Sequence, residues 1–426
     1  MISGERCRIN NKTTKPKMAE QLLKEVNNLL DACKNIGGAD FLISNICFKE
    51  TNEKGIGVYA NAKIEREGAI LISVPFRICI SVDMIINVAS LNRVFDDTPD
   101  YLSYPDEVLS IGLIFAIMQL NKPNSAIHCP YLQHVRALPK NFNTTLFWSE
   151  DELNELKGCN VFHITHLLKR QLTADFEALY QPLIINYPDI FSGLLLDHYF
   201  WALSVVYSRS AEIIRFGQTV RCIAPLLDMA NHNPSLISSQ SDALFYDPDS
   251  DSLQLKAVSG ELQAGDECYA FYGRYSNAKL LHTYGFVVHD NPHRAIDLWT
   301  KVTPTIYMAE YKQQLLQSHH LTAVQTYDFS GTIRDGYVSP ALLATIRVIQ
   351  ANEEEMPDIQ KAFVGQMVSV RNEKASYVSL KNLMIARMNP SQAEVCMYVC
   401  MYVCMYVCMY VCSVCFVNCC VLRMCK

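Results

Sequence analysis

The feature that most limits how this chain can fold is a change of hydrophobic period that occurs and then reverses. Over residues 41–82, short apolar runs are broken by Gly and Pro ("GIGVYANAKIEREGAILISVPFRICIS"), the pattern of β-strands between turns. Residues 95–205 switch to helical spacing, as in "EVLSIGLIFAIMQL" and "HITHLLKRQLTADFEALYQPLI". Strand character returns over 221–271. After about residue 303 helical spacing resumes, with Ser339 and Pro340 as N-cap and first turn ahead of a stripe of Leu342, Leu343, Ile346 and Ile349. At the start, Leu22, Leu23, Val26, Leu29, Leu30 and Cys33 also lie at helical spacing, and the glycines of "NIGGAD" end that helix. The expected plan is α+β. A basic segment and helix occupy 1–40, a β domain spans 41–300 with a helical insert at about 95–205, and a partial helical domain covers 301–393.

At 426 residues, half of them hydrophobic, the chain is long enough for two or three domains with a sizeable core. Its net charge of −6 gives no basic footprint, which speaks against direct nucleic-acid binding through phosphates. "MISGERCRINNKTTKPKMAEQ" has no apolar run of the secretory kind, so the expected compartment is cytoplasm, nucleus or both. Of the 17 Cys, eight are scattered without paired metal-ligand spacing and read as reduced intracellular thiols. Nine crowd into the last 31 positions, where "CMYVCMYVCMYVCMYVC" repeats every four residues. The apolar stretch 395–422 is long enough for a membrane anchor, but a period of four fits no helix. TGT-ATG-TAT-GTA, a TGTA tetranucleotide repeat, encodes Cys-Met-Tyr-Val. The expectation is therefore that 394–426 is a gene-model or read-through artefact, that the true C-terminus is missing, and that no membrane is involved unless the tail is real.

The chain contains no GxxxxGK[ST], GxSxG, HExxH or GxGxxG. His282, His289 and His293 lack carboxylate or Cys companions at ligand spacing, so no metal site is expected. "KGIGVYA" (54–60) holds a lone Gly-x-Gly, which by itself reads as a tight turn between strands. More demanding is "APLLDMANHNPS" (224–235), where an apolar run meets Asp228, Asn231 and His232, polar groups that a core has to satisfy. "YSRS" (207–210) precedes it and "CYAFYGRYSNAKLLHTYGF" (268–286) follows.

Taken in order, these motifs over about residues 45–390 resemble the SET-domain protein methyltransferases. The resemblance is to the subgroup with a long helical insert and a helical C-terminal domain like that of Rubisco large-subunit lysine methyltransferase. It implies a SET-domain β-fold with knot-like C-terminal threading and a partial all-α substrate-binding domain. It also implies an S-adenosylmethionine site made by Lys54, Gly55, Ile56, Gly57, Arg209, Asn231 and His232, with Gly allowing close backbone approach and Arg209 meeting a carboxylate. Tyr284 and Tyr272 match the pocket tyrosines of the lysine-modifying members, Tyr284 being the expected catalytic one and Tyr272 shaping the same pocket. Phe286 would form a wall, and Asp228, Ala211 and Leu227 would lie toward the substrate.

The implied activity is methyl transfer to a lysine of a histone or non-histone protein by a monomeric enzyme. "LLDMANH" and "FYGRYSNA" also resemble the actin-histidine methyltransferase branch. That branch has Trp where this chain has Leu227, Asn where it has Ala211 and Ser where it has Tyr284, so lysine is the expected target and histidine the alternative. "YGFVVHDNPH" further resembles an animal branch of SET-domain lysine methyltransferases. A catalytically silent SET-type binding module is a third reading. "NEEEMPD" (352–358) offers an acidic rim for a basic tail, or else a solvated helix end.

Overall fold

The computed structural model describes residues 15–387 apart from 52–54, 66, 121–128, 158, 237–243, 259–260, 294, 301, 320, 322–323 and 329–337. Lys54 and the 394–426 repeat, both singled out above, lie outside the described residues. The contacts divide the chain into two units, one taking in residues up to 147, 166–273 and 281–286, the other 148–165, 274–280 and 287 onward.

Among the described residues the first unit carries nine strands: β1 (Leu42–Ile43), β2 (Ile46–Thr51), β3 (Gly55–Ala60), β4 (Ile70–Pro75), β5 (Ile80–Ser81), β6 (Ala211–Arg215), β7 (Gln218–Ile223), β8 (Leu244–Asp247) and β9 (Ser252–Lys256). They form small antiparallel sheets in the orders β1-β4-β9-β8, β2-β3 and β5-β7-β6. Val58, Ile72, Val74, Cys79, Leu253 and Leu255 are fully buried between them, and the helix Lys15–Gly37 adds Val26, Leu29 and Cys33 to the same core. Each strand is too short to stand alone, so burial of these alternate side chains is what holds the sheets together.

The helical insert leaves the β region after β5 and returns at β6. Both strands pair with β7, so one strand ties the two ends of the insert together. Its central helix, Pro105–Leu120, is apolar on every side and every residue from Val108 to Ala116 is buried, as such a pattern requires. At its first turn Glu107 accepts the Tyr180 and Tyr199 hydroxyls at 2.7 and 2.9 Å. Burial pushes the Glu107 carboxyl up, against the pull of those two bonds. Packed on this helix is Leu196–Arg209, whose last residue the insert delivers to the β region.

The second unit contains β10 (Ala295–Trp299) and β11 (Val324–Asp328), paired antiparallel from Ala295↔Asp328 to Trp299↔Val324. The chain after 303 is therefore not helical throughout. The β-branched and aromatic residues of "VQTYD" extend and pair with "AIDLW", a partner too distant for local periodicity to reveal. The helices Ala309–Ser318, Pro340–Gln350 and Val370–Arg387 follow in this unit, with a 3-10 segment Glu353–Val364. Ser339 caps Pro340–Gln350 as expected, its hydroxyl accepting from the Leu342 N–H at 3.3 Å. Of the acidic rim, Glu355 is buried and held by Arg371 and by the Asn352 N–H, while Glu353, Glu354 and Asp358 face solvent.

Candidate active site

The site grows from the free edge of the β2-β3 hairpin. Gly55 opens β3 at φ +72°, a conformation that favours glycine, and pairs with Thr51. Along the other edge of β3, the Ala60 N–H donates to Asp266 O and the Cys268 N–H to Val58 O, which brings in the segment 266–272. That segment then meets "DMANH": the Ala270 N–H donates to Asn231 O at 2.8 Å and the Asn233 N–H to Ala270 O at 3.1 Å. Three stretches far apart in sequence thus lie side by side.

Gly57 sits where they converge. A Cβ there would stand 2.9 Å from both Asn231 Nδ2 and Glu267 Oε1, closer than a side chain tolerates. The Asn231 amide donates to Glu267 Oε1 at 2.7 Å and to Ile56 O at 3.4 Å, so it is anchored to the hairpin. The His232 ring is buried, and its Nδ1 accepts the Tyr272 N–H at 3.1 Å. An accepting Nδ1 fixes a neutral imidazole with its proton on Nε2.

Aromatic rings continue from His232. It stacks on Tyr272 at 5.0 Å, Tyr272 stacks on Tyr284 at 4.9 Å, and Phe286 lies 6.2 Å from Tyr284 and 6.4 Å from His232. The Tyr272 hydroxyl donates to Ala230 O at 2.8 Å, and burial pushes it up to about 12, so it stays protonated at neutral pH. Gly285, between Tyr284 and Phe286, has φ +81°, and a Cβ would come within 2.7 Å of the Asn143 backbone. The Asn143 amide donates to Gly285 O at 3.3 Å, and Thr145 Oγ1 lies 3.2 Å from His282 Nδ1. The 143–145 loop therefore sets the turn that aims Tyr284 and Phe286.

At the other end of the site stands a buried charge network. Arg209, last in its helix, donates from Nη1 to Asp228 O at 2.8 Å and to Oδ2 at 3.1 Å. Asp228 Oδ1 faces His134 Nε2 at 3.5 Å, and the side chains of Asp228 and His134 are 1% and 3% exposed. Burial pushes the Asp228 carboxyl up, but His134 and Arg209 outweigh it and the group titrates below the ordinary carboxylate value. Arg209 Nε, both His134 ring nitrogens and Asp228 Oδ1 are buried and make no hydrogen bond among the described residues, so the approach of His134 to Asp228 is a close polar contact. Leu226, just ahead, adopts φ +68°, a left-handed strain at a non-glycine residue that positions the short turn Leu227–Met229 carrying Asp228.

Of the residues expected from sequence, Gly55, Ile56, Gly57, Arg209, Asp228, Asn231, His232, Tyr272, Tyr284 and Phe286 all belong to this one region. Leu227 is buried in the turn before Asp228, and Ala211 starts β6 opposite Cys222, two residues beyond the helix that supplies Arg209. Sequence reasoning missed Glu267, His134 and the 143–145 loop. No local pattern marks them, because the partner of each is distant in the chain.

Residues 303–392 match the family model described as Rubisco LSMT substrate-binding. The chain is 25% identical over 318 residues to the actin-histidine N-methyltransferase of Gallus gallus, covering 72% of this chain and 50% of that protein. It is 29% identical over 221 residues to the chloroplastic [fructose-bisphosphate aldolase]-lysine N-methyltransferase of Arabidopsis thaliana, covering 50% of this chain and 44% of that one. To the chloroplastic ribulose-1,5 bisphosphate carboxylase/oxygenase large subunit N-methyltransferase of Pisum sativum it is 23% identical, covering 70% and 58%. The chain spans about half the length of the curated relatives it matches. The crystal structure of the SET domain of LSMT bound to lysine and AdoHcy superposes with a TM-score of 0.66 at 21% identity, over 85% of this chain and 81% of that one. The structure of Rubisco LSMT bound to AdoMet gives a TM-score of 0.63 at 20% identity over the same shares. The chain thus has the mixed helix and sheet fold of the LSMT SET domain, carries a Rubisco LSMT substrate-binding match toward its C-terminus, and has protein methyltransferases of both lysine and histidine type among its relatives.

Proposed function

We propose that the chain is an S-adenosylmethionine-dependent protein methyltransferase that modifies a lysine side chain of a histone or non-histone protein. The observation that carries this reading is the continuous run of His232, Tyr272, Tyr284 and Phe286 rings beginning beside Asn231 and the Arg209-Asp228 network. The residues fit the cofactor. The Arg209 side chain is 21% exposed and has guanidinium donors beyond the Nη1 that Asp228 holds, and Gly57 leaves β3 without a side chain where the three segments converge. Arg209, Gly55, Ile56, Gly57, Asn231 and His232 would hold it, with Lys54 completing the set. The bound cofactor supplies an activated methyl group.

What remains for the protein is positioning. A lysine amine attacks only when unprotonated, and an aromatic lining disfavours the ammonium form by desolvation. Tyr284 offers its hydroxyl to the target nitrogen, Tyr272, whose hydroxyl donates to Ala230 O, shapes the same pocket, and Phe286 excludes water. Large rings at Tyr284 and a compact Leu227 favour a slender lysine over imidazole. The pairing of 270 with 231–233 supports knot-like threading of 268–286, and the family match supports 301–393 as the substrate-binding domain following a catalytic domain at 41–300. The histidine reading has its own support, since the actin-histidine relatives align over 72% of the chain.

The native chain, incubated with radiolabelled S-adenosylmethionine, cell extract and histones, should place label on lysine when the modified residue is sited by mass spectrometry. Label on histidine would install the alternative. Cofactor binding without transfer to any protein would leave a silent binding module.

A further inference from the structure

His134 has no place in the reading above, yet it is a nearly fully buried histidine whose Nε2 faces the carboxylate that holds Arg209. We propose that His134 is a positioning residue for cofactor binding: it faces Asp228 Oδ1 as a close polar neighbour, so that Oδ2 is the oxygen turned to Arg209 and the guanidinium keeps its remaining donors for the carboxylate of the cofactor's amino-acid end. This inference rests on the cofactor reading of the site.

Three observations support it. First, the two Asp228 oxygens are divided, Oδ1 toward His134 at 3.5 Å and Oδ2 accepting Arg209 Nη1 at 3.1 Å, while the Asp228 carbonyl fixes the same Nη1 at 2.8 Å. Arg209 is held from one side only, and its buried Nε is left without a partner among the described residues. Second, an uncompensated buried carboxylate beside Arg209 would oppose a second carboxylate arriving on the same guanidinium. A polar ring 3.5 Å from Oδ1 offsets part of that charge. Third, Oδ1 accepts no hydrogen bond from any described residue, which leaves the His134 contact as its polar neighbour. Cys33 and Tyr272, the other titratable groups that sense Asp228, donate no hydrogen bond to it, and Tyr272 spends its hydroxyl on Ala230. His134 stands on the short helix Leu132–Ala137, within the same unit as Asp228 and Arg209, so its approach is fixed by packing of Val135 and Leu138 in the core.

The test compares two ligands by calorimetry on the native chain, His134→Leu and His134→Gln, with thermal unfolding to confirm that each variant is folded. S-adenosylhomocysteine carries the amino-acid end; 5′-methylthioadenosine lacks it. The proposal expects His134→Leu to bind S-adenosylhomocysteine about tenfold more weakly, with methylthioadenosine affinity little changed, the loss being that of a buried polar contact to a charged group. His134→Gln, which keeps an N–H donor at similar reach, should recover most of the difference. Equal losses for both ligands, or no loss for either, would overturn the positioning role, as would failure of the Gln variant to recover. No binding of S-adenosylhomocysteine by the native chain would instead overturn the cofactor reading, and the inference with it.

Discussion

Two buried charge networks in this molecule are built differently. In the second unit, Arg347 grips Glu373 with two parallel bonds, Nε to Oε2 at 2.8 Å and Nη2 to Oε1 at 2.7 Å, and Asn372 donates to Arg347 O. Nearby Glu355 accepts from Arg371, Ser369 and the Asn352 N–H. The guanidinium-carboxylate forks match donor to acceptor, Asn352 Oδ1 at the margin being the one buried atom there without a partner among the described residues, and the network ties Pro340–Gln350, Glu353–Val364 and Val370–Arg387 together. In the first unit, Asp228 and His134 are buried while Arg209 is 21% exposed, and the network leaves Arg209 Nε, both His134 ring nitrogens and Asp228 Oδ1 without hydrogen bonds among the described residues. Burying an unmatched donor costs about 1–3 kcal/mol. A network that only braces a fold has no reason to carry that cost, whereas one that receives a charged ligand does.

Breaking the closed network should have the largest effect. Arg347→Met strands the Glu373 carboxylate in the interior and should lower stability by about 3–5 kcal/mol in denaturant titration. A loss under 1 kcal/mol would mean that the pair is not a brace. On the aromatic side, Tyr284→Phe should lower transfer about a hundredfold while S-adenosylhomocysteine affinity holds, and Asn231→Ala should lose both. Unchanged transfer by Tyr284→Phe would show that Tyr284 is not the catalytic tyrosine. Gly285→Ala, with φ +81° and Asn143 backbone in the way of a Cβ, should lose about 2 kcal/mol of stability and mis-aim Tyr284. Denaturant titration alongside the transfer assay would show this, and an unaffected variant would remove the 143–145 loop from the account.

The smallest effect is a pH slope. Burial raises the Glu355 carboxyl, but Arg371, Ser369 and the Asn352 N–H bring it down to about 2 from the ordinary 4.5. A depressed folded value stabilises above the unfolded one, so this contribution is present above about pH 4.5 and fades as pH falls toward about 2. Glu355→Gln should flatten the acid limb of the stability curve in that window, and an unchanged limb would show that the carboxylate is not held as described.

How much of this was legible in the sequence depends on how far apart the cause and the effect lie in the chain. The hairpin of β2 and β3, the buried helix Pro105–Leu120 and the Ser339 cap were legible because their causes are local: strand alternation, an unbroken apolar run, a hydroxyl before Pro340. The polar residues of "DMANH" could be flagged because they interrupt an apolar run. What they bind could not, since Glu267, Ile56 and Tyr272 reach them through folding alone. His134 gave no signal, because a histidine in "YLQHVRALP" is an ordinary helix residue until Asp228 is folded against it. The β10-β11 pair escaped for the same reason, each strand being short and its partner beyond a helix.

The most direct test of the contrast is hydrogen exchange of the native chain with and without S-adenosylhomocysteine. The account predicts added protection at 55–60, 207–211 and 228–233, where the open network and the glycine strand lie, and none over 345–373. No gain in the first three segments, or a gain confined to 345–373, would contradict it.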